Sequence, residues 1–342
     1  MKKSSEKLKI IINVSILLIV LVLVFYFTFK DNYKEIIDIV FNMNLFWLIF
    51  ALALMLMYYF FISLGLHDLV INNNQKYSIV KAIKLIIVTQ FFNGITPFSS
   101  GGQPFQIYYL KEDKIPLTTS TNIVFQNFIV YQIALIILGL IAIVYNKMFN
   151  LFTDAGLIKN MVIIGFVINS LVLVLLFIIS FGKKINHFIS NKGISFLVKL
   201  KLIKNEEAIR EKVNTYLANF YNNAMDLSKN KWTFIKIVGY NVIALIVFYS
   251  IPVFLAIGIG YSFDMNIMEC IVASAYVMLI GAFMPLPGGS GGIEFSFVYF
   301  FGYYFDKAPV MILLLLWRCV TYYFGMMLGG LTLLFGRKKK CE

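Results

Sequence analysis

The stretch Pro97-Phe-Ser-Ser-Gly-Gly-Gln-Pro-Phe105 occurs a second time in this chain, as Pro287-Gly-Gly-Ser-Gly-Gly-Ile-Glu-Phe295. At a constant offset of 190, Pro97, Ser100, Gly101, Gly102 and Phe105 return as Pro287, Ser290, Gly291, Gly292 and Phe295. The same offset relates Tyr59 to Tyr249, Tyr109 to Tyr299 and Gly139 to Gly329. Each copy interrupts an apolar run that otherwise reads as membrane helix. Glycine and proline there release backbone N–H and C=O groups that hydrocarbon cannot satisfy. A break at membrane depth must therefore be buried in protein or face a wet cavity. Matching breaks in two halves are the sequence pattern of a transporter's central site.

Composition points to the same class. Sixty per cent of the 342 residues are hydrophobic and 14% charged, with a mean hydropathy of +0.82, far from a soluble domain. Apolar runs of about 20 residues, enough to cross roughly 30 Å of hydrocarbon, recur along the chain. Continuous spans are expected at about 10–29, 45–66, 119–145, 161–181, 234–259 and 309–335. The run 10–29 follows a basic N-terminus but lacks a small-residue cleavage site, so it reads as a retained helix and not a signal peptide. Cys270, Cys319 and Cys341 have neither metal nor disulfide spacing. No Walker loop, zinc motif, dinucleotide fingerprint or G-x-S-x-G is present, so neither a metal nor a cofactor is expected.

The net charge of +13 is unevenly placed. Between Gly182 and Lys236 there are eleven Lys/Arg and four acids, and the segments before 10 and after 336 are also basic. The positive-inside rule puts all three in the cytoplasm, both termini included, in a multi-pass cell-membrane protein. Flanked by spans, such a basic stretch is expected to touch anionic lipid head groups and not nucleic acid. Parity then constrains the two broken segments. If 79–110 enters and leaves on the cytoplasmic side and 267–304 on the outer side, every charge cluster falls inside. Two re-entrant hairpins satisfy this, and so do two pairs of complete short spans.

The expected fold is an all-α polytopic membrane protein with six full spans, two re-entrant helical hairpins and an inverted-topology repeat. Residues 1–342 form one integral domain, with a first repeat over 45–145, a second over 234–335 and a cytoplasmic insert at 182–233. Within the insert Ile209, Val213, Leu217, Phe220, Ala224 and Leu227 recur at helical spacing, giving an amphipathic helix. It would lie on the membrane surface or pack on the protein's own inner loops.

Ionisable groups inside the membrane are costly, and each is a functional candidate by default. Arg318 lies about ten residues into its span, near the bilayer centre. Glu294 sits in the second motif, and Asn93, Gln103, Gln126 and Asn127 belong to the first hairpin and the helix after it. These six are the expected substrate contacts, joined by Gln90 and Gln132. Arg318 offers planar donors to a phosphate or carboxylate. Pro97, Gly101, Gly102, Pro287, Gly288, Gly289, Gly291 and Gly292 are the expected hairpin backbone, whose helix ends and glycine N–H groups would add anion-binding dipoles. Glu294 would balance Arg318 in an empty site or receive a cationic head group; the alternative is a pair that only fixes helix packing. Thr96, Ser99, Ser100 and Ser290 satisfy local backbone or bind ligand. Tyr58, Tyr59, Tyr108, Tyr109, Tyr303, Tyr304, Tyr322 and Tyr323 read by default as an interfacial belt.

The segment from Asn93 through the first motif to Leu110 resembles the first signature of the lysylphosphatidylglycerol synthase transmembrane-region family. Met284-Pro-Leu-Pro-Gly-Gly-Ser-Gly-Gly-Ile-Glu294, followed by Trp317-Arg318, resembles the second. The resemblance covers essentially the whole chain. It implies a flippase for aminoacylated phosphatidylglycerol, the lipid itself being made by a separate cytosolic synthase domain. That domain is not expected here, and no transferase activity is expected of the chain alone. Where many members carry an acid this sequence has Gln103, which removes a cation-binding charge from the first hairpin. Two functions follow as expectations: a flippase for a phospholipid or polyprenyl-type lipid, or the membrane half of a phosphatidylglycerol lysyltransferase whose catalytic domain is a partner chain.

Overall fold

A computed structural model describes residues 41–152, 156–181, 230–261 and 264–336, together with single helical positions between 207 and 225. The span expected at 10–29, most of the 182–233 insert and the basic tail after 336 lie outside the described residues. The described chain is helical throughout and contains no strand. Ten helices follow in order: α1 (Leu45–Asn72), α2 (Ile79–Gly94), α3 (Gly102–Glu112), α4 (Leu117–Phe149), α5 (Gly156–Phe181), α6 (Lys231–Ile259), α7 (Ile267–Gly281), α8 (Gly292–Phe301), α9 (Lys307–Arg318) and α10 (Phe324–Gly336). Helices α1, α4, α5, α6 and the α9–α10 pair are long and apolar enough to cross a membrane. The protein is a polytopic all-α membrane protein.

The hairpin arms are shorter. Helix α3 has 11 residues and α8 has 10, which at 1.5 Å per residue is about 15–17 Å, half of a roughly 30 Å hydrocarbon core. Such arms do not make a complete crossing, so both broken segments are re-entrant in form. Local chemistry sets their ends. Ser78 Oγ accepts from Lys81 N–H at the start of α2, and Asn266 with Glu269 forms a capping box at the start of α7. Pro97 and Pro287 each open a one-turn 3₁₀ segment at a hairpin tip. At the first hairpin's base, Lys81 Nζ meets Asp113 Oδ1 at 2.9 Å and joins the two arms.

The repeat is visible residue by residue. Tip turns fall at Pro97–Ser99 and Pro287–Gly289, the second arms begin at Gly102 and Gly292, and the following helices begin at Leu117 and Lys307. Equivalent helices α1 and α6 lie side by side and antiparallel. Asn44 N–H donates to Gly258 O at 2.9 Å, Trp47 stacks on Phe254, Tyr58 meets Phe248, and Asp68 pairs with Lys236 at 2.8 Å. Corresponding elements thus run in opposite directions, the geometry of an inverted repeat. The other contacts are reciprocal: α10 packs on α2, and α4 packs on α7. Gly329 and Gly139 stand at equivalent places in these two crossings, Gly329 against Ile87 and Phe91, Gly139 against Leu279 and Phe166. Small residues let membrane helices approach closely where burial of apolar surface gives no drive.

Candidate functional site

The two hairpin tips touch each other, bringing the Pro97–Ser99 and Pro287–Gly289 turns together inside the bundle. Around this junction lies a cavity of about 380 Å³, walled by α1, α2, α4, α5, α6 and both hairpins. Its polar wall comes mainly from the first repeat: Gln90, Asn93, Gln103, Gln106, Asn127 and Gln132. The second repeat contributes Arg318, Thr321 and Asn241. Of the eight polar residues expected to converge, Gln90, Asn93, Gln103, Asn127, Gln132 and Arg318 share this wall, and Gln126 and Glu294 do not.

Gln126 is buried elsewhere. Its Oε1 accepts from Asn73 Nδ2 at 3.1 Å, and it takes no part in the cavity wall. One residue along a helix is a rotation of about 100°, which turns Gln126 toward the end of α1 while Asn127 and Phe128 face the cavity. Glu294 is the second exception. Arg318 Nε and Nη2 donate to Glu294 Oε1 at 2.8 and 2.5 Å, yet only the guanidinium belongs to the wall. Arg318 Nη1 also donates to Gly288 O at 3.0 Å, tying the cation to the hairpin tip. The Arg318 side chain is 8% exposed and the Glu294 side chain 18%. Aromatic faces flank the cation, with Cζ 5.7 Å from the Trp317 ring and 5.4 Å from that of Tyr322.

Four of the six motif glycines, Gly101, Gly102, Gly289 and Gly291, spend their N–H groups inside the protein, Gly289 on Leu286 O at 3.0 Å. Gly101 N–H donates to Thr96 Oγ1 at 2.8 Å and Gly102 N–H to Asn93 Oδ1 at 3.0 Å. Gly291 N–H donates to Glu294 Oε2 at 2.6 Å. In apolar surroundings an orphaned helix-end donor is expensive, and nearby side chains fill the role. Ser100 and Ser290 likewise serve the backbone, donating to Pro97 O and Pro287 O at 2.9 and 2.8 Å.

Three tyrosines assigned by default to an interfacial belt lie inside. Tyr59 is 1% exposed, Tyr58 lines the cavity, and Tyr322 Oη donates to Gly94 O at 2.7 Å. That last bond links the second repeat directly to the first hairpin. Asn169 and Asn241 complete the wall from α5 and α6. Sequence reasoning passed over both; their signal was a lone carboxamide within an otherwise apolar span. A π-helical turn at Cys319–Tyr323 follows Arg318. Such bulges widen a helix by one residue and cluster at functional sites.

These features define a helical membrane protein whose inverted halves enclose a polar cavity at their broken hairpins. The chain belongs to the lysylphosphatidylglycerol synthase TM region family, which it matches over residues 10–329. It is also 21% identical, over 312 residues, to a UPF0104 membrane protein of Archaeoglobus fulgidus, an alignment covering 84% of this chain and 86% of the relative.

Proposed function

We propose that the protein is a lipid flippase that passes a head group bearing a phosphate through the cavity between the hairpins. One observation carries this reading: a polar, arginine-bearing cavity sits where two re-entrant tips meet, between halves that run in opposite directions. Intramembrane charge at a repeat interface is the usual mark of a translocation site. Arg318 has five N–H donors and makes three bonds among the described residues. Two remain for a phosphate oxygen. The acyl chains would stay in the bilayer while the head group crosses. The six residues Arg318, Glu294, Gln103, Gln126, Asn127 and Asn93 then divide their work. Arg318 binds the anion, Glu294 holds Arg318, Gln103 and Asn127 contact the head group, Asn93 caps the hairpin, and Gln126 fixes α4 against α1.

Purified protein in liposomes carrying labelled phospholipids in one leaflet tests the proposal. Movement of an anionic lipid well above protein-free vesicles is expected, with loss in Arg318→Ala. The same vesicles given aminoacyl-tRNA and phosphatidylglycerol separate transport from group transfer. Aminoacyl-lipid formed by the pure chain, without lipid movement, would overturn the flippase reading.

A further inference from the structure

The cavity's chemistry is one-sided in charge. Among the described lining residues Arg318 is the single ionised side chain, and no carboxylate reaches the wall. Eight carboxamides line it instead. Several of their polar atoms lack any partner. Gln132 and Asn241 are 6% and 1% exposed, yet Gln132 Oε1, Asn241 Oδ1 and the Oδ1 of Asn127 carry no hydrogen bond. Buried polar atoms are nearly always paired, so these three await a ligand or water. An amide turned by 180° exchanges acceptor for donor, so each offers either function. The aromatic side chains of Tyr58, Phe128, Tyr131 and Phe248 also line the cavity.

A hydroxyl both donates and accepts, which matches amides of either orientation. Apolar C–H faces of a polyol or sugar ring fit against aromatic rings. An ammonium has three donors and no acceptor. It would enter beside Arg318 with no carboxylate in the wall to receive it, and like charges repel strongly in a low dielectric. Of the lining rings, the two beside Arg318, Trp317 and Tyr322, are already engaged by it, so a quaternary ammonium next to the phosphate site gains little from them. A volume of about 380 Å³ holds a head group and not its acyl chains.

Resting on the transport reading, we infer that the head group this cavity takes is a phosphate-linked polyol or sugar and not an ammonium-bearing one. Arg318 holds the phosphate, and the carboxamides of Gln132, Asn127 and Asn241 hold the hydroxyls. Two lipid classes share that chemistry: glycerophospholipids with glycerol or inositol, and polyprenyl phosphosugars.

The test uses liposomes with labelled phosphatidylinositol, phosphatidylglycerol, polyprenyl-phosphohexose, phosphatidylcholine or lysyl-phosphatidylglycerol. At least one hydroxyl-rich lipid is expected to move about tenfold faster than the last two, and the fastest arm tells the two sources apart. Gln132→Met and Asn241→Leu are each expected to reduce that preference at least threefold. Asn241 Nδ2 bonds to Ile237 O of its own helix, so Asn241→Leu breaks no hydrogen bond between helices, and its melting temperature is checked beside transport. In parallel, melting temperature in detergent is measured with dihexanoyl phosphatidylinositol and dihexanoyl phosphatidylcholine, and only the first is expected to raise it. Lipid movement without head-group preference, or fastest for lysyl-phosphatidylglycerol, overturns this inference and leaves the flippase reading standing. Selective stabilisation by the inositol lipid without movement of any lipid overturns the flippase reading and keeps the specificity. No stabilisation and no movement overturn both.

Discussion

Phe98 and Gly288 occupy equivalent places on the two hairpin tips and share one left-handed conformation, φ 53°, ψ 17° and φ 63°, ψ 18°. The next residues match as well, Ser99 at φ 50° and Gly289 at φ 65°. Both halves need the same turn, but only the second has residues that adopt it without strain. A left-handed residue other than glycine costs about 1–2 kcal/mol. In the first half, the contact between the tips holds that strain in place. Strained backbone of this kind concentrates at functional sites.

Gly288→Ala should therefore be far more damaging than Phe98→Ala. An added Cβ at 288 meets the Tyr322 ring as well as the left-handed penalty. A loss of stability of more than about 1 kcal/mol is expected. Phe98→Ala changes a residue that is 59% exposed and keeps the same backbone penalty. Melting temperatures of the two variants in detergent check this. Equal shifts would show that the turn is not what limits stability.

Arg318→Ala should abolish lipid movement and also destabilise the protein, because Glu294 is left without its cation. Breaking a buried pair costs on the order of 3–5 kcal/mol in soluble proteins. Arg318→Lys should recover little, since an ammonium cannot reach Glu294 and Gly288 O with a planar fork. The informative variant is Arg318→Met with Glu294→Met. It should fold, by melting temperature and monodispersity, and yet move no anionic lipid. Wild-type transport by the double variant would reduce the pair to a packing device.

Tyr322→Phe removes one hydrogen bond, to Gly94 O at 2.7 Å. A stability loss of about 1 kcal/mol is expected. The loss should be local, so hydrogen exchange should quicken at 94–101 more than in α1 or α6. Uniform quickening would show that the bond does not single out the hairpin.

Gly329→Ala and Gly139→Ala probe equivalent helix crossings with different neighbours. A Cβ at 329 meets the backbone carbonyl of Ile87 at 2.6 Å, whereas one at 139 meets only side chains at 3.3 Å and beyond. Side chains yield by a few tenths of an ångström and a packed backbone does not. The 329 variant should show the larger drop in melting temperature.

On charge parity Lys114 is expected in the cytoplasm and Asp306 outside. Single cysteines at those positions, in a protein freed of its native cysteines, should react with impermeant reagents from opposite sides. Labelling of both from one side would remove the inverted orientation of the hairpins.

The hairpins were legible because proline and glycine act locally. Pro97, Gly102, Pro287 and Gly292 mark the tip turns and the starts of α3 and α8 to the residue. Arg318 was legible because a charge within an apolar span stands out in one dimension. Asn169 and Asn241 were not, since their place at the cavity depends on how α5 and α6 pack on the hairpins. The contrast between Asn127 and Gln126 had the same origin: adjacent letters in sequence point to different neighbours once α4 is fixed. The position of Glu294 outside the wall and the π-helical turn after Arg318 both arise from tertiary contacts, which leave no periodic trace.

The carboxylate of Glu294 stands behind the guanidinium and not across the cavity from it. The pair is therefore an oriented dipole with its positive end turned inward. A dipole is far cheaper to keep in hydrocarbon than a lone ion, and close to its guanidinium end the potential is still positive, though weaker than that of a free cation. An arriving anion meets this field without having to evict a counter-charge first. Its departure leaves behind no naked ion, so the resting protein stays neutral at this depth between cycles.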